Sequence, residues 1–399
     1  MFIFIFIDFH SGQAKRIGCT MHYQRMTIEK EAPEEVGASI KYNLSESAVS
    51  DQTLDSLGVK IPSSTVLTYT EHMGSHRIRS LVAEACNGSV AAQDVLVTAG
   101  ASTSLFIIKT ALLGPQDHVV ITRPNYATNL EIPRSIGCDM TFVDLEFESQ
   151  FRLDVARIAA SIRPGATKLI SICSPNNPTG TKCSSAELRS LASLASEAGC
   201  HLLIDETYAD LDHASWADGS QQATPPPLRG AELGSHVITV SSMSKAYGVP
   251  GIRIGWLTTT DPALMERFLA AKEQISISGS VIDELVAEQI LARRAELLPA
   301  TVADMRRRRD LVGAWVEQQQ GLVDWVRPEA GATCFVKIKQ IPKGGIKAFY
   351  TRLLDEYGVY VGRGSWFERD DVFFRLGYGW PTWEELKTGL EAISDALRG

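Results

Sequence analysis

The sequence lacks a paired arrangement of cysteines. Its 399 residues include seven cysteines, an odd number, and no two of them are spaced as CxxC. This pattern indicates neither a disulfide framework nor a zinc ribbon. We therefore predict a reducing compartment, the cytoplasm.

The sequence also lacks long runs of one charge and long apolar runs. Lys and Arg total 39 against 47 Asp and Glu, which gives a net charge of −8. The basic run at residues 306–309 ends at Asp310 and is typical of a solvated helix face. Such a chain is a poor candidate for binding a nucleic-acid backbone. No stretch approaches the roughly 20 apolar residues that span a bilayer, so we expect no membrane association.

Common catalytic and cofactor signatures are absent, namely GxGxxG, Walker A, GxSxG and HExxH. The sequence therefore gives no motif evidence for the nucleotide-binding, hydrolase or metalloprotease sites that these motifs form. His72 and His76 have a spacing that metal ligands use on helices, but Gly74 lies between them and disfavours a helix there. We predict no metal site.

The first ten residues, MFIFIFIDFH, do not match a signal peptide. Their apolar run spans residues 2–7, Asp8 interrupts it, and no basic residue precedes it. We predict that residues 1–26 form a disordered extension ahead of a later start such as Met21 or Met26. Its FIFIFI segment, if exposed, would pair readily with another strand edge.

Short β-branched runs alternate with longer helical windows from about residue 94. Strands are predicted at residues 95–98, 118–122, 169–173, 201–205 and 236–241, with helices at 102–113, 126–136 and 184–198. The last of these helices has Ser184 or Ser185 as its N-cap and Glu187 in its first turn. The alternation predicts an α/β fold with a mainly parallel sheet and helices on both faces.

The pattern changes after about residue 263. A long helical stretch runs through Trp315, followed by strands at residues 323–326 and 332–338, a helix at 347–357, a strand at 373–376 and a closing helix from Thr382. We predict a second, smaller α+β domain. The three prolines at residues 225–227 predict a surface loop within the first domain.

Polar motifs follow three of the predicted strands, at the carboxyl ends where the chemistry of parallel sheets gathers. They are SPNNPTG at residues 174–180, DETY at 205–208 and SMSK at 242–245. A lysine that ends a buried strand has a lowered pKa and can form a Schiff base. Asp205 can pair with a protonated ring nitrogen, and helix N-termini at residues 101–102 and next to Ser242 offer N–H groups to a phosphate. Together these groups meet the requirements of pyridoxal 5'-phosphate.

The ordered set of motifs resembles one enzyme family. NPTG, DxxY, SxSK, an arginine eight residues after the lysine, and FRLG at residues 374–377 are similar to the pyridoxal-phosphate enzymes of fold type I, in particular the aminotransferase class I/II superfamily. The resemblance runs from about residue 41 to the C-terminus. It implies a mainly parallel seven-stranded sheet with helices on both faces, plus a smaller α+β domain.

The resemblance also implies a domain organisation and an assembly. Residues 27–55 would be an N-terminal segment that joins the small domain. Residues 56–300 would form the large cofactor-binding domain, and residues 301–399 the small C-terminal domain. The assembly would be a homodimer with shared active sites.

The resemblance implies a role around the cofactor for each motif residue. Lys245 resembles the lysine that forms the Schiff base and moves the substrate α-proton, and Asp205 resembles the partner of the pyridine nitrogen. Asn177 and Tyr208 resemble the hydrogen-bond donors to the 3-oxygen of the ring. Tyr126 lies where the family places an aromatic ring stacked on the cofactor. The expected catalytic residues are Lys245, Asp205 and Tyr208.

A second group is implied in binding the phosphate. Ser242 and Arg253 resemble phosphate ligands, together with the main-chain N–H groups of Ala101 and Ser102. Tyr69 resembles a tyrosine that reaches the phosphate across a dimer interface.

The substrate is implied to bind through an arginine. Arg375 resembles the residue that binds the substrate carboxylate as a bidentate pair, with Asn177 also at the substrate. Residues 274–280 contain no arginine, so a second carboxylate clamp is not evident and dicarboxylate substrates are disfavoured. Glu46 could meet a basic side chain of the substrate, and the alternative is a solvated glutamate.

Each of these residues also has a purely structural explanation. Fold-stabilising ion pairs or a surface position would account for the charged ones, Asp205, Lys245, Arg253 and Arg375. Turn formation or core packing would account for the others, Asn177, Tyr126 and Tyr69. Ser102 could cap its helix and contact the phosphate at the same time.

The motifs identify the cofactor more firmly than the reaction. The cofactor stabilises a carbanion at the substrate α-carbon, and it does not itself determine which reaction follows. We predict an aminotransferase of amino acid metabolism or biosynthesis, which moves an amino group between an α-amino acid with a neutral or basic side chain and a 2-oxo acid. The alternative is a cyclase, lyase or β/γ-replacement enzyme on the same scaffold, similar to capreomycidine synthase or aminocyclopropane-carboxylate synthase. A non-catalytic regulator is disfavoured, because residues 1–40 are too short for an N-terminal winged-helix domain.

Overall fold

The computed structural model describes residues 4–6, 15–17, 20–86, 88–216 and 229–399. The strands are β1 (Phe4–Phe6), β2 (Lys15–Ile17), β3 (Tyr42–Asn43), β4 (Val95–Thr98), β5 (His118–Arg123), β6 (Asp139–Asp144), β7 (Thr167–Cys173), β8 (His201–Asp205), β9 (Val237–Ser242), β10 (Gly255–Thr258), β11 (Val323–Trp325), β12 (Thr333–Ile338), β13 (Val359–Tyr360), β14 (Gly362–Arg363) and β15 (Phe373–Gly377). The α-helices are α1 (Thr27–Lys30), α2 (Pro33–Val36), α3 (His76–Glu84), α4 (Ala101–Leu112), α5 (Ala127–Ile136), α6 (Val155–Ser161), α7 (Ser185–Ala198), α8 (Pro262–Ser276), α9 (Val281–Leu291), α10 (Arg294–Gln318), α11 (Gly345–Asp355) and α12 (Trp383–Arg398). None of these described helices combines the length and the apolar composition that crossing a bilayer requires.

Seven strands form the main sheet, in the order β4-β10-β9-β8-β7-β5-β6. β10 runs antiparallel to β4 and β9, and the remaining neighbours pair in parallel. The predicted mainly parallel sheet is therefore confirmed. Its strands include β6 and β10, which were not among the predicted strands.

Helices cover both faces of this sheet, and the central strand β8 shows why. Adjacent side chains of a strand point to opposite faces. Leu203 belongs to an apolar cluster that includes Ile108 of α4 and Phe268 of α8. Its neighbours Leu202 and Ile204 pack with Leu191 of α7 on the other face. A strand buried on both faces is apolar along its length, as the parallel arrangement requires.

Two helices begin at capping boxes. Ser184 Oγ accepts a hydrogen bond from the Glu187 N–H, and the Glu187 carboxylate accepts one from the Ser184 N–H, at the start of α7. Thr382 and Glu385 repeat the arrangement at α12. Both helices begin where the sequence predicted them to begin. Each cap stabilises its helix, because it satisfies N–H groups that have no acceptor within the helix.

The predicted long helical stretch after residue 263 is helical but consists of three helices, α8, α9 and α10, because the chain breaks twice there. Ile277 follows α8 with a left-handed φ of 57°, and Ser280 caps the start of α9. Arg293 then precedes α10 with a non-helical φ of −109° and ψ of 17°. Apolar spacing continues across these breaks and does not reveal them.

The C-terminal part contains a second, antiparallel sheet in the order β11-β12-β15-β14. The short strand β3 pairs in parallel with β13, so the N-terminal segment lies against this part. The main-chain N–H of Gly377 also donates to Leu44 O over 2.7 Å. The domain boundaries at residues 56 and 300 stay a prediction.

Two predicted segments lie partly or wholly outside the described residues. The surface loop at residues 225–227 is one of them. Of the extension at residues 1–26, residues 1–3, 7–14 and 18–19 lie outside, whereas β1 and β2 form an antiparallel pair. Within residues 20–26, the His22 N–H donates to Ser135 O of α5.

The arrangement of the main sheet gathers the polar motifs at one edge. β7 ends at Cys173, β8 at Asp205 and β9 at Ser242, and the three strands are parallel. β4 runs in the same direction and ends at Thr98, just before α4. The carboxyl ends of the strands, with the N-terminus of α4, therefore surround one site.

Candidate active site

A cavity of about 160 Å³ lies at this edge of the sheet. Nine of the eleven predicted site residues line it: Ala101, Ser102, Tyr126, Asn177, Asp205, Tyr208, Ser242, Lys245 and Arg253. Leu105, Cys173, Thr207, Ser244 and Pro250 complete the lining. The two other predicted residues are Arg375, which contacts Asn177, and Tyr69, which lies elsewhere.

Lys245 presents its amine to the cavity from the turn that follows β9. Its Nζ donates a hydrogen bond of 3.0 Å to Ser47 Oγ. Burial lowers the pKa of Lys245, and the positive charges of Arg375 and Arg253 lower it further. The carboxylate of Glu46 acts in the opposite direction. A lysine with a lowered pKa holds its proton weakly and is a better nucleophile at neutral pH.

Asp205 is a buried carboxylate whose oxygens are both engaged. Oδ1 accepts from the Thr207 N–H at 3.1 Å and from Thr207 Oγ1 at 2.6 Å. Oδ2 accepts from Asn129 Nδ2 at 2.9 Å. Donors on both oxygens hold the carboxylate in one orientation.

A buried lysine lies behind this carboxylate. Lys109 is fully buried, and its Nζ donates to Asn129 O at 2.8 Å and to Asn129 Oδ1 at 3.1 Å. Burial lowers the pKa of Lys109 to about 7, against the opposing charge of Asp205. Our sequence interpretation included neither Lys109 nor Asn129. The one signal was a lysine within the apolar stretch LFIIKTAL of α4.

The N-terminus of α4 and Arg253 form an anion cradle. Gly100 precedes α4 with a positive φ of 86°, which suits glycine, and Ala101 and Ser102 are the first helical residues. Their N–H groups have no acceptor within the helix. The Arg253 guanidinium is held by Pro250 O at 2.8 Å. A helix N-terminus beside a guanidinium is suited to a phosphate.

The predicted helix N-terminus next to Ser242 is wrong. β9 continues through Ser242, and the described chain then forms turns before a 3₁₀ turn at Pro250–Ile252. Gly248, with a φ of 61°, and Pro250, which has no N–H, interrupt any helix here. Ser242 contributes to the cavity from the end of a strand.

Two buried polar atoms have no well-formed hydrogen bond to the described residues, namely Arg375 Nε and Tyr208 Oη, the latter close to the Ser47 side chain. Arg375 Nη1 donates to Asn177 Oδ1 at 3.2 Å, and Nη2 donates to Ser45 O. The guanidinium carbon also lies 5.1 Å from the centre of the Phe367 ring. Since buried polar groups are normally paired, these two atoms indicate that a ligand binds here.

Tyr126 joins the cavity to the N-terminal helix α1. Its ring lines the cavity, and its hydroxyl donates to Glu29 Oε1 at 3.2 Å. Burial raises the pKa of Tyr126 to about 12, and the nearby charge of Glu29 raises it as well. Glu29 was not a predicted site residue.

Tyr69 and the histidine pair lie away from this cavity. Tyr69 is 78% exposed, so its predicted role across a dimer interface stays a prediction. His72 Nδ1 contacts Glu273 Oε1 at 2.5 Å, whereas His76 begins α3.

The residues that line the cavity fit pyridoxal 5'-phosphate. The α4 N-terminus and Arg253 suit its phosphate, and Asp205 suits its ring nitrogen. The amine of Lys245 suits its aldehyde. The Tyr208 hydroxyl, with Asn177, can donate to its 3-oxygen.

The sequence matches characterised proteins over most of its length. The model of the family Aminotransferase class I and II matches residues 39–393. The arginine–pyruvate transaminase AruH of Pseudomonas aeruginosa is 31% identical over 338 residues, 83% of this chain and 80% of that protein. The capreomycidine synthase of Streptomyces vinaceus is 27% identical over 330 residues, 82% of this chain and 79% of that protein.

Solved structures share the fold. A PLP-dependent aminotransferase from Streptococcus suis aligns with a TM-score of 0.80 and 31% identity, over 90% of this chain and 94% of that chain. The aspartate aminotransferase of Thermus thermophilus with maleate aligns with a TM-score of 0.78 and 24% identity, over 93% of this chain and 95% of that chain. The predicted fold type I architecture is confirmed.

Proposed function

Since the chain belongs to the aminotransferase class I and II family, we propose that it moves an amino group between an α-amino acid and a 2-oxo acid. Members of this family use pyridoxal 5'-phosphate, so the protein is a PLP-dependent transferase. The observation that carries the proposal is that the Lys245 amine and the fixed Asp205 carboxylate line one cavity, with Arg375 beside Asn177 next to them.

Each of these residues has a distinct task in the proposed reaction. Pyridoxal 5'-phosphate, when bound, would supply an electron sink for the α-carbon of the amino acid. Nζ of Lys245 moves the proton from that carbon, and its lowered pKa suits this work near neutral pH. Asp205, oriented by Thr207 and Asn129, would hold a proton on the ring nitrogen. Arg375 binds the α-carboxylate and orients the substrate.

The proposed donor is an amino acid with a neutral or basic side chain. The relative from Pseudomonas aeruginosa is an arginine–pyruvate transaminase. Residues 274–280 supply no arginine for a second carboxylate. Glu46 lies close enough to Lys245 and Arg375 for its charge to act on both.

A second candidate reaction is cyclisation. It is favoured by the similarity to a capreomycidine synthase, at 27% identity. A cyclase uses the same lysine, aspartate and arginine, because it also begins with loss of the α-proton. It differs in that it needs no amino acceptor.

We also propose a homodimer with shared active sites. The exposed segment that includes Val66, Leu67 and Tyr69 supports it, because these side chains are 75%, 76% and 78% exposed in the single chain. Neighbouring large apolar side chains on a surface favour a protein interface. A cytoplasmic location belongs to the same proposal, since none of the six described cysteines forms a disulfide.

Transfer of a nitrogen label tests the proposed reaction. The protein, loaded with cofactor, is incubated with a ¹⁵N-labelled amino acid and with pyruvate or 2-oxoglutarate. We expect the label in alanine or glutamate, and its loss in Lys245→Ala. Lys168, an exposed lysine of β7, provides the control Lys168→Ala. A product that forms without transfer of label to any oxo acid would favour cyclisation or elimination instead.

A further inference from the structure

Two glutamates of the N-terminal segment lie next to residues of the active site, and neither has a cationic partner among the described residues. Glu29 lies on α1, and its Oε1 accepts from the Tyr126 hydroxyl. Glu46 follows β3, and its Oε1 is 3.5 Å from Asn43 Nδ2. Both are half-buried, and neither forms an ion pair with the residues that the structure describes. Arg25 donates only to the main-chain oxygen of Glu29, and its charge pairs with Glu35.

Glu46 lies between two residues of the chain that contact the active site. The preceding residue, Ser45, accepts a hydrogen bond from Arg375 through its main-chain oxygen. The following residue, Ser47, accepts one from Lys245. The chain at Glu46 is thus anchored on one side to the guanidinium proposed to bind the substrate carboxylate and on the other to the amine proposed to react.

The charges of both glutamates reach these two cations. Glu46 and Glu29 each raise the pKa of Lys245 and of Arg375, against the larger effect of burial. Both carboxylates are therefore electrostatically part of the site. Glu29 approaches from the side of Tyr126, which lines the cavity.

Neither cation of the chain can neutralise these carboxylates while the enzyme works. Arg375 is needed for the substrate α-carboxylate, and Lys245 must give up its proton to react. With a neutral substrate, two half-buried carboxylates would stay unpaired next to the ligand, which is unfavourable. A positive charge on the substrate side chain removes this cost.

We infer that Glu29 and Glu46 form the side-chain subsite, and that the enzyme selects α-amino acids whose side chain carries a second cation, a guanidinium or an ammonium group. This inference rests on the proposed function and narrows its substrate class. The two carboxylates act on binding of the side chain, whereas Lys245 and Asp205 act at the α-carbon.

L-Arginine and L-citrulline test the subsite, because they have nearly the same shape and differ in the charge of the terminal group. The dissociation constant of each is measured on the holoenzyme from the absorbance of the bound cofactor. The rise in the midpoint of thermal unfolding gives a second readout that does not depend on turnover. We expect arginine to bind at least about tenfold more tightly than citrulline.

The double variant E29Q/E46Q should bring this ratio close to one. Glutamine keeps the size of each side chain and its ability to accept from Tyr126, but it removes the charge. Glu34, an exposed glutamate of α2, provides the matched control E34Q, which should keep the wild-type ratio. If the double variant does not fold, the single variant E46Q should lower the ratio at least about threefold.

A wild-type ratio near one, or a ratio that E29Q/E46Q and E46Q leave unchanged, would overturn the inference. Its failure is separable from failure of the proposed function. If arginine binds selectively through the two glutamates but no label reaches an oxo acid, the subsite stands and the reaction is wrong. If label is transferred from arginine and citrulline with equal ease, the reaction stands and the subsite is wrong.

Discussion

The side-chain amide of Asn129 donates a 2.9 Å hydrogen bond to Oδ2 of Asp205. The same side chain accepts from Lys109 through its Oδ1, so a buried lysine is connected to the carboxylate by one amide. The connection spans α4, α5 and the end of β8. It fixes the orientation of Asp205, and its parts can be removed one at a time.

Asn129→Leu should weaken cofactor binding. The leucine has a similar volume but leaves Asp205 Oδ2 without its donor, and hydrogen bonds to charged groups contribute about 1.5–3 kcal/mol. We expect the dissociation constant of the cofactor to rise roughly 10- to 100-fold. Titration of the apoprotein with cofactor, followed by absorbance, measures it. An unchanged dissociation constant would show that Thr207 alone positions Asp205.

Lys109→Met should change how stability depends on pH. In the unfolded chain Lys109 has the ordinary pKa of 10.5, and burial lowers it to about 7 in the folded protein. Between these values the unfolded chain binds the additional proton, so this residue makes the free energy of unfolding rise with pH. Methionine removes that rise.

The expected effect of Lys109→Met is a difference between two pH profiles. From about pH 7 to about pH 9.5, the wild type should gain on the order of 3 kcal/mol relative to the variant. Urea unfolding of the apoproteins at a series of pH values measures this. Lys168→Met, at an exposed position, should follow the wild-type profile. Parallel profiles for wild type and Lys109→Met would contradict the lowered pKa.

Gly100→Ala should disturb the phosphate cradle. A Cβ at Gly100 would lie 2.5 Å from Arg253 Nη2 and 3.2 Å from its Cζ, so the guanidinium must move. Losing that charge-assisted contact should raise the dissociation constant of the cofactor roughly tenfold or more. The same titration of the apoprotein measures it.

Gly88→Ala is a control that separates the effect of moving the Arg253 guanidinium from the effect of backbone strain. Gly88 also has a positive φ, of 80°, but a Cβ there meets nothing within 4 Å. Both variants should lose stability through the strained backbone, whereas Gly100→Ala alone should lose cofactor affinity. Equal cofactor affinity in the two variants would argue against a role of Arg253 at the phosphate.

Arg375→Met should weaken the binding of every amino acid substrate. Its guanidinium is buried and one Nε–H is free for the carboxylate. Truncating one partner of a buried charge pair costs about 2–5 kcal/mol, which corresponds to a rise of roughly 30-fold or more in the dissociation constant. Cofactor affinity should change far less.

A control for Arg375→Met lies on the neighbouring strand. Arg363 of β14 has its guanidinium 5.0 Å from the centre of the Tyr350 ring. Arg363→Met should keep wild-type amino acid binding. Should Arg375→Met bind amino acids as the wild type does, Arg375 would be a structural residue and the carboxylate site would lie elsewhere.

The sequence predicted the parts of this site that depend on local patterns. Asp205 and Ser242 end buried strands, and Lys245 follows the second of them after a short turn. An apolar run with a polar end is visible in a few consecutive residues. Parallel pairing then brings such ends together, which is why the carboxyl edge of the sheet was predictable.

The contacts that orient these residues were not predictable, because they join distant parts of the chain. Asn129 is 76 positions from Asp205, and Glu29 is 97 positions from Tyr126. A polar residue within a helix gives no sign of which strand end it will meet. Strand β10 was missed for a related reason, since nothing in its four residues indicates the antiparallel pairing with β4 and β9.

An absorbance titration with amino acids in the absence of any oxo acid distinguishes transamination from the alternative reactions. We predict that a basic amino acid converts the yellow form of the cofactor into its stable aminated form. The conversion should stop at one equivalent per active site and reverse when a 2-oxo acid is added. Continued consumption of the amino acid without an acceptor would contradict transamination and favour cyclisation or elimination.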